Sequence, residues 1–170
     1  KSFSGESRTN FLKIYSSFKT DKKREKLENY LSGQDKNIQV SNIKTSDLNN
    51  REIKLTVDYD IDIDNKVSTF DNEMYIDLEY NNDFKNLELK DRKTDYQFDY
   101  KENFESTTVF VIPEGYKVSK IPTDLTVKEA NYTVSITFQK TEKEIIYKKQ
   151  FVFKNAEIKA NEIPKWNILN

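Results

Sequence analysis

Residues 52–63 read Glu-Ile-Lys-Leu-Thr-Val-Asp-Tyr-Asp-Ile-Asp-Ile, so apolar side chains alternate strictly with polar ones. In an extended chain, successive side chains point to opposite faces. An alternation of this kind is typical of a strand that has one buried face and one face in water. The stretch therefore predicts a long, half-buried β-strand that begins near Ile53.

Other parts of the chain show the same period of two. The clearest predicted hairpin pairs residues 132–139 with residues 145–153 through a turn at 140–143. Residues 107–112 are apolar on both faces, which predicts a central strand. Pro113-Glu114-Gly115 predicts a turn in which Gly115 adopts positive φ. Shorter strands are predicted around residues 38–43, 74–78, 96–100 and 125–127, an extended segment at 116–121, and a polar loop at 81–95.

The first part of the chain has helical periodicity instead. Phe11, Tyr15 and Phe18 fall on one helical face, and a second short helix is predicted at 22–31, with Gly33 as its stop. The expected organisation is a helical segment at 1–34, packed on the β region, and an antiparallel β-sandwich-like domain at 35–170. Two sub-layers of that domain are expected to join near 92–104. The predicted fold class is mainly β, with antiparallel sandwich-like sheets and an N-terminal helical hairpin, α+β overall.

The composition excludes several classes of chemistry. The 170 residues include no cysteine and no histidine. The chain alone therefore cannot supply a Ser-His-Asp triad, a Cys-His dyad, a Cys/His zinc site, a haem histidine or an iron–sulfur cluster. A formal net charge of −1 gives no global field for nucleic acid. No apolar run approaches the ~18 residues that a membrane span needs. We predict no catalytic residue, no cofactor and no metal ligand, and no nucleic-acid partner or membrane-spanning segment.

A run of alternating aspartates is a candidate calcium site, called here the acidic ladder. Its members are Asp58, Asp60, Asp62 and Asp64. A calcium loop that starts at Asp60 has glycine at its sixth position and a bidentate glutamate at its twelfth, where this chain has Asn65 and Asp71. On a strand, alternate carboxylates are spread ~6.6–7 Å apart, whereas calcium needs ligands that converge. We expect a solvated strand face whose charges discourage edge aggregation, although weak calcium binding stays open.

Three further candidates are more structural than chemical in character. Arg92 precedes a predicted strand and is expected to clamp a loop through carboxylate or carbonyl groups, with ligand binding as the alternative. Trp166 is expected to dock as a plug, with a ligand platform as the alternative. Asn131-Tyr132-Thr133 matches a glycosylation acceptor, a sequence that is common by chance.

A resemblance to a known family follows from several segments. Residues 110–118 read Phe-Val-Ile-Pro-Glu-Gly-Tyr-Lys-Val and are followed by Ile121-Pro122. This segment resembles the signature of a bacterial domain of unknown function that lies C-terminal to a papain-like transglutaminase core. Similar segments are Phe3-Ser4-Gly5, Asp91-Arg92 and the run from Phe153 to Ala156-Glu157-Ile158.

The resemblance implies a mostly β module, exported or periplasmic, whose partner is the upstream transglutaminase-like domain or another protein. The nucleophile and base of such a core are cysteine and histidine, so no catalytic residue carries over to this chain. The leading hypothesis is a non-catalytic accessory domain. The alternatives are a glycan- or peptide-binding β-sandwich and, third, a hydrolase with two facing carboxylates, for which the sequence singles out no pair.

Overall fold

A computed structural model describes residues 1–79 and 87–169. The chain forms two compact units, Lys1–Ile76 and Asp77–Asn170. The fold is mainly β with antiparallel pairing and helices near the N-terminus, which confirms the predicted fold class. In the first unit, the helices share their core with strands that follow them in sequence.

The first unit combines two helices with two small sheets. In chain order it contains β1 (Ser2–Phe3), α1 (Gly5–Ser17), α2 (Lys23–Leu31), β2 (Ile38–Thr45), β3 (Leu55–Ile63), β4 (Val67–Phe70) and β5 (Glu73–Ile76). Strand β3 pairs antiparallel with β1 on one side and β2 on the other, and β4 and β5 form a separate hairpin. The two predicted helices are confirmed, and β4 is a strand that the sequence did not predict.

The core of the first unit lies between the helices and β3. Phe11 of α1, Leu27 and Leu31 of α2, and Leu55 and Val57 of β3 are all buried. The helical spacing on α1 and α2 and the period of two on β3 therefore bring one apolar face of each element into contact. Burial of large apolar side chains of this kind contributes ~1.5–3 kcal/mol each before the entropy cost of folding.

The N-terminal end of the predicted strand is wrong by two residues, because β3 begins at Leu55 and Ile53 lies in the preceding loop, 48% exposed. The guanidinium of Arg8 donates hydrogen bonds to the carbonyl oxygens of Ile53 (2.8 Å), Leu48 (3.2 Å) and Asn50 (2.6 Å). These bonds hold the loop against α1 and take the Ile53 carbonyl away from the strand ladder.

The second unit is built on a four-stranded antiparallel sheet. Its elements are β6 (Tyr96–Gln97), β7 (Phe104–Val111), β8 (Leu125–Lys128), β9 (Tyr132–Lys140), β10 (Glu144–Phe153), β11 (Glu157–Ile158) and α3 (Ile163–Trp166). The sheet order is β7-β10-β9-β8, and β6 pairs with β11 as a two-stranded ribbon. The predicted hairpin of β9 and β10 is confirmed, with Ile145 opposite Lys140 and Phe153 opposite Tyr132.

One face of this sheet is covered and carries the core of the second unit. Tyr132 and Val134 of β9 and Phe151 and Phe153 of β10 point to that face. The C-terminal segment covers one end of it, where the indole of Trp166 is fully buried and its Nε1–H donates to the Leu87 carbonyl oxygen at 3.0 Å. We call this side of the sheet the covered face and the opposite side the outer face.

The turn after β7 is confirmed, but the position of β7 in the sheet is not. Gly115 has φ of 83°, and the Tyr116 N–H donates to the Pro113 carbonyl oxygen at 3.1 Å. The prediction of a central strand at 107–112 is wrong, because β7 lies at the edge of the sheet. Val109 and Val111 are 53% and 69% exposed on the outer face.

One other predicted strand is shorter than expected. Around 96–100, strand β6 covers Tyr96–Gln97, and the Phe98 N–H extends its pairing with a hydrogen bond to the Ala156 carbonyl oxygen at 2.9 Å. The loop predicted at 81–95 lies partly outside the described residues, including its Asn81-Asn82-Asp83 signal.

Candidate interaction surface

The outer edge of β7 presents main-chain hydrogen-bonding groups. Strand β7 pairs with β10 in one unbroken register, from Val111 opposite Glu144 to Phe104 opposite Phe151. The Ile112 N–H donates to the Lys143 carbonyl oxygen at 2.9 Å and continues that ladder by one pair. Because hydrogen-bonded and non-hydrogen-bonded pairs alternate in an antiparallel ladder, even-numbered residues of β7 bond to β10.

It follows that the odd-numbered residues direct both their N–H and their C=O groups away from β10. These residues are Glu105, Thr107, Val109 and Val111. Within residues 1–79 and 87–169, the structure shows no hydrogen-bond partner for these main-chain groups. We call this row of groups the β7 edge.

The β7 edge has an apolar end and a polar end. At the apolar end, Val109 and Val111 are exposed, and Ile146 of β10 lies opposite Val109 on the same face. At the polar end, the Glu105 carboxylate accepts from Lys148 Nζ and from Gln150 Nε2, both at 3.0 Å. The charge of Glu105 is therefore already compensated within the outer face.

The opposite edge of the same sheet, β8, differs in length and chemistry. It has four residues, whereas β7 has eight. The Glu129 N–H donates to the Tyr132 carbonyl oxygen at 2.8 Å, so Thr126 and Lys128 direct their main-chain groups outward from β8. Natural edge strands are commonly guarded by shortness, lysine, proline or a bulge. Strand β8 is short and carries Lys128, whereas β7 has none of these four features.

The acidic ladder lies on the first unit and does not converge. Asp58, Asp60 and Asp62 occupy the exposed face of β3, and Asp64 follows the end of that strand. The Asp60 carboxylate accepts from Asn42 Nδ2 at 2.7 Å. Asp71 lies in the turn between β4 and β5, with φ of 51°. In the parts of the chain that the structure describes, no three acidic side chains are grouped closely enough to hold a metal ion.

Arg92 acts on its own loop. Its Nε donates to the carbonyl oxygens of Thr94 (3.0 Å) and Asp95 (3.3 Å), and its Nη2 donates to the Asp95 oxygen at 2.9 Å. The guanidinium also lies 5.3 Å from the centroid of the Tyr96 ring. The structure therefore places Arg92 as the loop clamp that its position predicted.

Trp166 and Asn131 are both buried, in agreement with a structural role. The Trp166 ring is edge-on to Tyr132, with centroids 5.4 Å apart, as expected for a docked plug. The side chain of Asn131 is enclosed, and its Nδ2 donates to the Glu162 carboxylate at 3.1 Å. In the folded chain that nitrogen is therefore not presented to an enzyme that would glycosylate it.

Glu162 is a buried carboxylate that sequence reasoning missed. It is 2% exposed and accepts the main-chain N–H groups of Asn131 and Lys159, each at 3.0 Å. Burial opposes ionisation, but these hydrogen bonds and that from the Asn131 side chain outweigh it and hold the pKa of Glu162 below its usual value. A signal for this role was present in the chain, where Glu162 immediately precedes Ile163-Pro164 at a helix start.

A second buried charge, also missed, lies on the covered face of the sheet. Lys149 of β10 has a side chain 8% exposed and forms an ion pair with Glu79. Tyr147, two residues earlier on the same face, is buried. Burial, together with the nearby charges of Glu79 and Asp77, raises the pKa of Tyr147 to about 12. The ion pair with Lys149 ties Glu79 to the sheet.

Exposed aromatic side chains are found on the hairpin of β4 and β5. Phe70 and Tyr75 are 71% and 58% exposed. The register sets Ser68 opposite Tyr75 and Phe70 opposite Glu73, so the four side chains share one face. The Tyr75 hydroxyl donates to the Glu73 carboxylate at 2.7 Å. We call these four residues the hairpin face.

Within the described residues, the helices are too short or too polar to cross a membrane. No curated protein and no solved structure matches the chain. A family model does match residues 72–169, which is more than half of the chain. That family is described as a domain of unknown function with a solved structure, DUF3858. The matched residues contain all four strands of the sheet, the β7 edge and the buried Glu162, and the chain belongs to this DUF3858 family.

Proposed function

We propose that this chain is a non-catalytic accessory domain of a transglutaminase-like bacterial protein, exported or periplasmic, and that it braces a neighbouring domain. The contact is made with the upstream transglutaminase-like domain or with another protein. The observation that carries the proposal is the pair of exposed valines, Val109 and Val111, beside outward-directed main-chain groups on the β7 edge. Contiguous apolar surface of this kind often marks a protein–protein contact.

The composition supports a bracing role over a catalytic one. A transglutaminase of the papain-like type uses cysteine and histidine, and this chain has neither residue. Any such chemistry would have to be performed by a different domain. The similarity of residues 110–118 to the domain that follows transglutaminase-like cores supports the same assignment.

The experiment is a calorimetric titration of this chain with a recombinant transglutaminase-like core, taken from a bacterial protein that also carries a DUF3858 domain. We expect binding, and we expect Val109→Asp with Val111→Asp to weaken it at least about tenfold, because each buried charge or lost apolar contact costs on the order of 1 kcal/mol or more.

The matched control is Val67→Asp, which changes a valine that is 48% exposed in the first unit. It should leave the affinity unchanged. A chain that does not bind the core, or a double variant that binds as tightly as the unchanged chain, would contradict the proposal.

A second candidate function, glycan or peptide binding, is favoured by the hairpin face. Two exposed aromatic rings and two hydrogen-bonding side chains, Ser68 and Glu73, lie together there. Aromatic rings offer an apolar surface for stacking, while the polar groups give orientation. Titration with cellohexaose and chitohexaose tests it: Phe70→Ala and Tyr75→Ala should abolish binding, whereas Val67→Ala on the other face should not. Absence of saturable binding would exclude these two sugars as ligands.

A further inference from the structure

We infer that the residues immediately before Lys1, in the longer protein that the proposed function describes, continue β1 as an edge strand along β3. The inference rests on the proposed function, which places a transglutaminase-like domain upstream, and it specifies how the connecting chain enters this domain. The edge that this segment covers is formed by residues 58–63, on the side of β3 that faces β1.

The two sides of β3 are covered to different extents. On one side, β2 pairs with β3 as far as Ile63. On the other side, β1 has only two residues, and Lys1 extends its ladder as far as Val57. Among the residues that the structure describes, no strand lies beside residues 58–63 on the β1 side. An edge of ~20 Å is therefore open directly next to Lys1.

The pairing of Lys1 with Val57 fixes the direction and register of a preceding segment. The Lys1 nitrogen donates to the Val57 carbonyl oxygen at 2.6 Å, and the Val57 N–H donates to the Lys1 carbonyl oxygen at 2.8 Å. This is a hydrogen-bonded pair of an antiparallel ladder, so the next such positions on β3 are Tyr59, Ile61 and Ile63. A preceding chain that stays extended meets these positions without a turn.

Ile61 and Ile63 have main-chain groups with which such a segment can bond. The Asp64 N–H donates to the Asn37 carbonyl oxygen at 2.9 Å, so even-numbered residues at this end of β3 face β2. Ile61 and Ile63 therefore direct their N–H and C=O groups to the β1 side. The described part of the chain offers these groups no partner on that side.

A continuation of the same chain suits this edge better than a strand from another molecule. A separate strand would have to end where the Lys1 amino group lies, whereas a connected chain puts a peptide N–H in the place of that amino group. Burial lowers the pKa of the Lys1 amino group below its usual value, and an uncharged N–H makes the same hydrogen bond without that cost. Pairing within one chain also avoids the entropy cost of association.

The side chains of β3 indicate the composition of the segment. Directly opposed side chains in a sheet share a face. The first, third and fifth residues before Lys1 would oppose Asp58, Asp60 and Asp62 on the exposed face, so they should be basic or uncharged. The second, fourth and sixth would oppose the odd-numbered residues of β3, which are apolar and partly buried, and should be apolar. The acidic ladder would then favour this segment over an acidic one.

Amide hydrogen exchange tests the inference by comparing the 170-residue chain with a form that keeps about ten further upstream residues of the parent protein. In the 170-residue chain, the Ile61 and Ile63 amides should exchange quickly, whereas Asp62, which donates to β2, should exchange slowly. In the longer form, Ile61 and Ile63 should slow at least about tenfold. The amides of Thr126 and Lys128 on the β8 edge are the control and should exchange equally in both forms.

A substitution on β3 gives a second readout. Ile61→Pro removes the N–H that would face the fourth upstream residue and leaves the ladder to β2 in place. The loss of the isoleucine side chain is common to both forms, but only the longer form loses a hydrogen bond. The melting temperature should therefore fall further in the longer form than in the 170-residue chain. An equal decrease in the two forms would contradict the inference.

The outcomes separate this inference from the proposed function. If Ile61 and Ile63 become protected in the longer form but the core does not bind the separate chain, the continued strand stands and the bracing contact fails. If the core binds but both amides stay fast in the longer form, the contact stands and the continued strand is overturned. Protection that appears in the 170-residue chain as its concentration rises would assign the edge to a second copy, and a mature protein whose first residue is Lys1 would have no segment to pair. Either result overturns the inference.

Discussion

The Glu162 carboxylate accepts both the main-chain N–H and the side-chain amide of Asn131, at 3.0 and 3.1 Å. Asn131 lies in the turn between β8 and β9, and Glu162 lies 31 residues later, at the start of α3. The same carboxylate accepts the Lys159 N–H. One buried side chain therefore fastens the C-terminal segment to the sheet, at the place where Trp166 closes the core.

Replacement of Glu162 by glutamine should destabilise the second unit. Glutamine has only one acceptor oxygen. Its NH₂ group would face an N–H group that donates a hydrogen bond to the carboxylate in the unchanged chain, and that N–H would lose its acceptor. We expect a loss of ~1–3 kcal/mol in the free energy of unfolding, the usual cost of leaving buried polar groups unpaired. Urea denaturation measures it. Gln97→Ala on the exposed side of β6 is the control, and an equal loss there would refute the special role of Glu162.

Stability should also fall at acidic pH through the same carboxylate. The pKa of Glu162 in the folded chain is below the value of 4.5 that applies when the side chain is exposed. Its contribution is therefore fully present above about pH 4.5 and is lost as the pH falls through the lower, folded-state pKa, since the unfolded chain binds the proton first. Thermal melts between neutral and acidic pH should show this decline, and Glu162→Gln should flatten it. An unchanged slope in the variant would show that other carboxylates govern the decline.

The ion pair of Lys149 with Glu79 should respond asymmetrically to substitution. Glu79→Gln removes the countercharge of an ammonium that is almost fully enclosed, and we expect a loss of ~1–3 kcal/mol, the usual cost of leaving a buried hydrogen-bonding group unsatisfied. Lys149→Met should cost less, because methionine fits an apolar site beside Phe151 and the Glu79 carboxylate is 29% exposed and can be hydrated. Chemical denaturation of both variants makes the comparison. A larger loss in Lys149→Met would contradict it.

Trp166 should be the most costly truncation in the second unit. Its ring lies 5.9 and 6.0 Å from Phe151 and Phe153, centroid to centroid, and is fully buried. We expect Trp166→Ala to lose ~3–5 kcal/mol, because a large cavity remains. Ile168→Ala, at a side chain 69% exposed, should stay within ~0.5 kcal/mol. Calorimetric melting of the two variants checks both values, and similar melting temperatures would contradict the plug assignment.

Local patterns predicted the elements that depend on local chemistry. The alternation of apolar and polar residues on β3, β9 and β10 correctly predicted which face of each strand is buried. Gly115 predicted a turn, because that turn needs a residue with positive φ. Arg92 was recognised as a clamp, since its carbonyl partners lie within three residues of it.

Contacts between residues far apart in sequence could not be predicted from local patterns. The apolar run at 107–112 has the composition of a central strand, but its place at the edge depends on β10 pairing with β9 on the other side. Arg8 donates to carbonyl oxygens 40 or more residues away in sequence. Lys149 is accommodated on the covered face by its ion pair with Glu79, 70 residues earlier. The β7 edge was missed for the same reason, since a strand reveals an unpaired side only when its neighbours are known.

The position of Trp166 near the end of the sequence has a consequence for the folding of this domain during its synthesis on the ribosome. The hairpin of β9 and β10 can form from its own turn as soon as it leaves the exit tunnel. The Trp166 indole that covers its apolar face is translated more than ten residues after β10 ends. Until then the aromatic rings on the covered face of the nascent sheet are exposed to water, and a chaperone that binds apolar surface would protect the chain during this interval.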